Sequence, residues 1–136
     1  MVFLDTNVFL YAAGRDHPLR EPARRVLERF EEGALAANTN VEVVQEILYV
    51  LGRRGLLREG LRLARLILAL FPEPLPLTRA DLADACDLLE RNPDLSPRDA
   101  VHIATMRNHG LDTVISADGH FDAVPGIRRI DLVGVS

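Results

Sequence analysis

Lysine is absent from this 136-residue chain, and all sixteen of its basic residues are arginine. That absence removes several chemistries. A phosphate-binding P-loop needs its lysine, Schiff-base catalysis needs an amine, and a receiver domain, which also sets acids at strand ends, relies on a lysine that is missing here. Cysteine occurs once, as Cys86, which excludes an intrachain disulfide and a thiolate zinc site. With no activating base in evidence, Cys86 reads as a small core residue. Long apolar runs are also lacking. The longest candidate, Leu66 to Phe71, stops at Pro72 and is too short to span a membrane. No basic leader precedes the N-terminal apolar run, so no signal peptide and a cytoplasmic location are expected. Positive charge is in the minority, giving a formal net charge of −4. Bulk electrostatics therefore do not draw nucleic acid to this chain. Such contact requires local arginine patches, metal ions that offset the acids, or both.

What is present fits one domain over residues 1–136, with 48% hydrophobic residues. Met1-Val2-Phe3-Leu4 reads as a buried parallel strand, ended by Asp5-Thr6-Asn7. A bare carboxylate has no place inside such a strand, so Asp5 belongs at the rim of the sheet, either as the N-cap of the next helix or in a site. Helices are expected over Val8–Ala13, Leu19–Glu32, Val41–Arg54, Leu56–Phe71, Arg79–Arg91 and from Ser96 to Asn108. Asn40, Thr78 and Ser96 are their capping residues, with Asp81 and Asp99 at capping-box positions. Asp81, Asp84 and Asp87 read as a solvated face. Strands are expected at Ala34–Asn38, Thr113–Ala117 and Ile127–Leu132, and at most a short edge strand lies in Pro72–Leu77, because prolines cannot pair inside a sheet. Alternating strands and helices imply an α/β fold with helices on both faces of a parallel sheet. Stacking strands two and three on one side of the first, and four and five on the other, gives the order 3-2-1-4-5.

The helix from Val41 buries Val41, Val44, Leu48 and Leu51 on its main stripe. Glu46 lies at the edge, free to face solvent or a cleft, and residue type favours solvent. The segment Leu61 to Phe71 is apolar over more than one face, which fits either a subunit interface or a central core helix.

Asp118 repeats the logic of Asp5, since it follows the apolar strand at Val114-Ile115-Ser116-Ala117. If those two strands are neighbours, Asp5 and Asp118 face each other across one crevice. Asp99 shares a helix face with Ile103 and Met106, which is unusual for a carboxylate without a partner. Clustered carboxylates raise each other's pKa, and a hard divalent cation resolves that repulsion; Mg2+ and Mn2+ prefer such oxygen donors. His102 and His120 lie near Asp99 and Asp118, but the spacings match no zinc pattern. His102 reads as a half-buried helix residue, and His17 and His109 as surface residues.

Four segments together resemble the PIN domain family, the fold of VapC-type ribonuclease toxins. They are Val2-Phe3-Leu4-Asp5-Thr6-Asn7-Val8-Phe9, Asn40-Val41-Glu42-Val43-Val44-Gln45-Glu46-Ile47-Leu48, Ser96-Pro97-Arg98-Asp99-Ala100-Val101-His102-Ile103-Ala104 and Ile115-Ser116-Ala117-Asp118-Gly119-His120-Phe121-Asp122. They occur in order over almost the whole chain. The resemblance implies a three-layer α/β/α fold and an Mg2+- or Mn2+-dependent endoribonuclease in which a metal-activated water hydrolyses RNA. Asp5, Glu46, Asp99 and Asp118 carry over as catalytic, metal-binding acids, with Asp122 as a possible fifth ligand and Glu42 as the rival of Glu46. Thr6, Asn7 and Ser116 match positions that shape the site. Without lysine, cationic RNA contacts fall to arginine; Arg53, Arg54, Arg58 and Arg98 are candidates, and each also reads as part of a solvated face. The resemblance further implies a homodimer through the apolar helices around Leu61–Phe71 and a protein antitoxin, with no membrane partner. Two other readings stay open: a binding module that kept the fold without turnover, and a metal-dependent phosphatase for small substrates.

Overall fold

The computed structural model describes residues 1–135. Val2–Leu4 forms β1 in the middle of a four-stranded parallel sheet. Ala37–Asn38 (β2) pairs on one side of it and Thr113–Ile115 (β3) on the other, and Arg128–Ile130 (β4) completes the order β2-β1-β3-β4. Register sets Phe3 opposite Asn38 and Val114, and Leu4 opposite Ile115. Phe3, Leu4, Val114 and Ile115 are fully buried, as a strand covered on both faces requires.

The expected edge strand around Leu75 is reduced to one bridge. Leu75 pairs with Asn40 in parallel, through Val41 N–H to the Leu75 carbonyl at 3.0 Å and Leu75 N–H to the Thr39 carbonyl at 2.8 Å. Pro74 and Pro76 flank it and carry no N–H, so the ladder cannot extend. Among the described residues the sheet therefore has four strands rather than the expected five; the other four keep their expected order, and Leu75 contributes only an isolated bridge beside them.

Six helices fill the connections: α1 (Thr6–Ala13), α2 (Arg20–Glu31), α3 (Val41–Arg53), α4 (Leu57–Leu70), α5 (Arg79–Arg91) and α6 (Pro97–Asn108). They pack as the pairs α1–α2, α3–α4 and α5–α6. Gly60 lets α3 and α4 approach closely, since a Cβ there would meet the Leu51 Cβ at 3.2 Å. The buried stripe of α3 is Val43, Val44, Ile47 and Leu51 rather than the one expected; Val41 is exposed and Leu48 only partly covered. The helix is turned toward α1 and α4, which it contacts, and this turn brings Glu42 and Glu46 alongside the start of α6. On α4, Gly60, Leu63, Ala64 and Ile67 face inward, while Leu57, Leu61, Leu66 and Leu68 stand exposed.

Two polar expectations on α5 are corrected. Asp81 is buried, where it accepts the Thr78 N–H at 2.9 Å in a full capping box and the Asn108 amide at 2.6 Å, tying α5 to the end of α6. Cys86 is exposed, because the inward stripe runs through Asp81, Ala85 and Leu88.

Candidate active site

Asp5 ends β1 and caps α1 at once. Its Oδ1 accepts the Thr6 N–H at 2.8 Å, so the helix starts at Thr6, two residues earlier than expected. Its Oδ2 accepts the Ser116 hydroxyl at 2.6 Å and the Asn7 amide at 3.3 Å. Asn7 also donates to Ser116 Oγ at 3.0 Å and accepts the Ala117 N–H at 3.2 Å. Ser116 Oγ in turn accepts the Asp118 N–H at 3.0 Å. Asn7 and Ser116 thus stitch the ends of β1 and β3 together beneath the acids. Burial pushes the Asp5 carboxyl up from its ordinary pKa, against the opposing pull of His102 and the Ser116 and Thr6 bonds.

Glu46, one helical turn beyond Glu42, points into the same crevice rather than to solvent. Thr6 Oγ1 donates to its Oε1 at 2.9 Å, and His102 Nε2 lies 3.3 Å from that same oxygen. Burial disfavours its charge, but the His102 and Thr6 bonds, with Arg98 nearby, outweigh burial and hold its carboxyl below the usual range. Arg98 spans both glutamates, 3.9 Å from Glu46 Oε2 and 4.0 Å from Glu42 Oε1, with its guanidinium 4.7 Å from the Tyr49 ring centre.

Asp99 occupies the first turn of α6. Ser96 Oγ accepts its N–H at 3.1 Å, yet no return bond completes the expected capping box. Its carboxyl turns instead to Asp118. Burial, then the charges of Asp5 and Asp118, raise the Asp99 pKa to about 7. Asp118 caps the 3₁₀ turn Gly119–Ala123, and His120 Nδ1 lies 3.0 Å from its Oδ1. Asp99, Asp118 and His120 present ligand atoms that all lie within 4.8 Å of one another.

Asp122 does not join this group. Both of its oxygens take the Arg129 guanidinium, at 2.9 and 3.0 Å, which holds its carboxyl below the usual range. Arg129 also donates to the Ser116 carbonyl at 3.0 Å, bracing the loop that carries Asp118. Of the four candidate arginines, Arg98 stands beside the acids, whereas Arg53, Arg54 and Arg58 are exposed along the α3–α4 hairpin.

His102 departs most from expectation. It is fully buried rather than half-buried, tilted against the Phe3 ring and 3.8 Å from Asp5 Oδ1. The available signal was its spacing of three from Asp99, which puts both on one face of α6. Its other partner, Asn40, read only as a helix cap.

The donor set suits a small hard cation. Carboxylates approach one crevice from β1, α3, α6 and the loop after β3, and burial first, then the charges of Asp5 and Asp118, push the Asp99 carboxyl up to about 7. Ligands on one Mg2+ at about 2.1 Å sit at most about 4.2 Å apart, so the Asp99–Asp118–His120 group needs only a small contraction to close on an ion.

Residues 2–127 match the PIN domain family model. Ribonuclease VapC13 of Mycobacterium tuberculosis is 39% identical over 133 residues, covering 96% of this chain and 99% of its own. Ribonuclease VapC23 of the same species is 41% identical over 121 residues, covering 87% and 93%. Among solved structures, Mycobacterium tuberculosis VapC20, titled a Sarcin-Ricin loop cleaving toxin, superposes with a TM-score of 0.76 at 21% identity, covering 94% of this chain and 99% of that one. FitAcB from Neisseria gonorrhoeae superposes at 0.72 with 23% identity, covering 99% and 100%. At such identities these two structures show the shared fold.

Proposed function

The chain belongs to the PIN domain family, and from that premise we propose that it is a divalent-metal-dependent endoribonuclease, the toxin of a type II toxin–antitoxin pair. The observation that carries the reading is the gathering of Asp5, Glu46, Asp99 and Asp118 around one crevice, with His102 beneath Asp5 and Glu46 and Arg98 at the rim. The family relatives at 39% and 41% identity bear the name ribonuclease.

Asp5, Glu46, Asp99 and Asp118 would hold Mg2+ or Mn2+, with His120 at the edge of the set and Asp122 committed to Arg129. When bound, such an ion would supply positive charge for the phosphodiester and lower the pKa of a water. Asn7 and Ser116 aim Asp5, and Thr6 aims Glu46. Arg98 leans over the glutamates, placed to meet a phosphate once they are engaged. In a chain of net charge −4, such local devices rather than overall charge bring RNA to the acids.

The partner is an antitoxin that lays a cationic segment, with an arginine, into the acidic crevice. Toxin–antitoxin complexes are among the solved structures of this fold. Two copies of this chain associate through the exposed leucines of α4. Introducing a charge at Leu66 lowers the mass in solution, and wild-type protein already monomeric at micromolar concentration removes that contact. Among the described residues no helix is long and apolar enough to cross a membrane, and we place the protein in the cytoplasm.

Cleavage of structured RNAs in Mn2+, comparing wild type with Asp5→Asn, tests the reading. Loss in the variant supports it, and equal cleavage overturns the role of Asp5. Hydrolysis of simple phosphate esters without RNA cleavage identifies a phosphatase instead. Metal binding with neither activity identifies a binding module.

A further inference from the structure

Beneath the crevice a line of three polar side chains joins the start of α3 to Glu46, and two of them have no part in the reading above. Asn40 is 1% exposed and His102 0%. Burial of two polar groups in contact is tolerated only if their donors and acceptors match. The Asn40 amide has no freedom in that matching. As the N-cap of α3, its Oδ1 accepts the Val43 N–H at 2.8 Å, so Nδ2 is the atom facing His102 Nδ1 at 3.0 Å. An amide N–H donor requires a lone pair on Nδ1, which puts the ring proton on Nε2. A doubly protonated ring would set Nδ1–H against the amide hydrogens. Burial disfavours a second proton on the ring, the Glu46 and Asp5 carboxylates outweigh burial in favouring one, and the Asn40 amide opposes it.

From Nε2 the ring reaches Glu46 Oε1 at 3.3 Å, and Thr6 Oγ1 donates to the same oxygen at 2.9 Å. Oε1 is therefore held by two donors. Oε2 has only the Arg98 Nη1 at 3.9 Å, beyond hydrogen-bond distance. The two oxygens of Glu46 are not equivalent.

We propose that Asn40 and His102 are positioning residues for the acidic site: the N-cap of α3 fixes the neutral tautomer of His102, and that ring with Thr6 anchors Glu46 Oε1 so that Oε2 is the oxygen offered to the divalent cation. The proposal rests on the metal-dependent reading of the site. Neither residue touches the reacting atoms. Outer partners of this kind typically cost roughly 10- to 100-fold in metal affinity when removed.

Two measurements test it without RNA. Long-range proton–nitrogen NMR of metal-free protein reads the His102 tautomer at neutral pH, and calorimetric titration with Mn2+ reads affinity. The expected results are an Nε2–H neutral ring in wild type, loss of that single tautomer in Asn40→Ser, which keeps an N-cap oxygen but no amide donor, and Mn2+ binding weakened about 10- to 100-fold in His102→Leu. His102→Gln, whose amide can still donate toward Glu46, recovers part of the affinity. Should His102→Leu not fold, Asn40→Ser and His102→Gln carry the comparison. An Nδ1–H or doubly protonated ring in wild type, or unchanged Mn2+ affinity in the folded variants, overturns the relay while leaving the nuclease reading standing. Wild-type protein that binds no Mn2+ overturns the metal reading itself, and the relay with it.

Discussion

Ser116 donates a 2.6 Å hydrogen bond to Asp5 across 111 residues of sequence. That bond, shared with Asn7, is what makes two strand ends into one site. Removing the hydroxyl leaves a buried carboxylate without its shortest partner, at a cost of about 1.5–3 kcal/mol for a hydrogen bond to a charged group. Ser116→Ala is therefore expected to lower the unfolding free energy read by urea titration by that order and to weaken Mn2+ binding. Unchanged stability and unchanged binding would show that Asn7 suffices alone.

Asp5 does two jobs that two substitutions separate. Asn is as good an N-cap as Asp, so Asp5→Asn is expected to keep α1 and the thermal midpoint of metal-free protein, or raise it by removing a buried charge, while abolishing Mn2+-dependent cleavage. Asp5→Ala loses the cap as well, for about 1 kcal/mol. Calorimetric melting of both variants reads the difference, and equal midpoints would mean the cap contributes nothing.

The Asp99 carboxyl gives metal-free protein an unusual pH profile. Its pKa rises from 3.8 to about 7 on folding, so between those values the folded state binds more protons than the unfolded state. Its contribution to stability is fully present below the unfolded value and is lost as pH rises through about 7. The melting temperature of chelator-treated protein is expected to fall between pH 5 and 7.5, in the window set by this shift. Mn2+ reverses the slope, because the ion binds the deprotonated acids. Asp99→Asn is expected to make the metal-free slope shallower. A profile that is flat in wild type would exclude the crowding of Asp99.

Asp122 distinguishes a fifth ligand from a loop brace. With both oxygens on Arg129, Asp122→Asn is expected to leave Mn2+ affinity unchanged, whereas Asp118→Asn weakens it severely. A matching loss in both would return Asp122 to the metal set.

The strand ends were readable because an apolar run must expel its charge, and that rule placed Asp5 and Asp118 on one rim. At Asp5 the cap reading holds and leaves the second oxygen free for other partners: one carboxylate oxygen faces Thr6 and the other Ser116. Glu46 was ambiguous on the wheel, because the stripe of α3 is set by its contacts with α1 and α4 and no local rule reports that rotation. Asp99 showed its cap position but not where its carboxyl turns, which depends on Asp118 arriving from another element. His102 was misjudged for a related reason. Its burial needs a matched amide 62 residues away, and nothing around His102 in sequence announces Asn40 as that partner.

The order of the sheet has a consequence for synthesis. β1 lies between β2 and β3, and Asp5 N–H bonds to the Ile115 carbonyl. A nascent chain that has displayed Asp5 and Glu46 still lacks the strand that flanks β1, the hydroxyl that aims Asp5, and Asp118. Its acids stay scattered until the segment from Thr113 onward leaves the ribosome. For a chain with the proposed activity, order of synthesis then acts as a delay, since Asp5 and Glu46 are made well before Ser116 and Asp118, the residues that complete their surroundings.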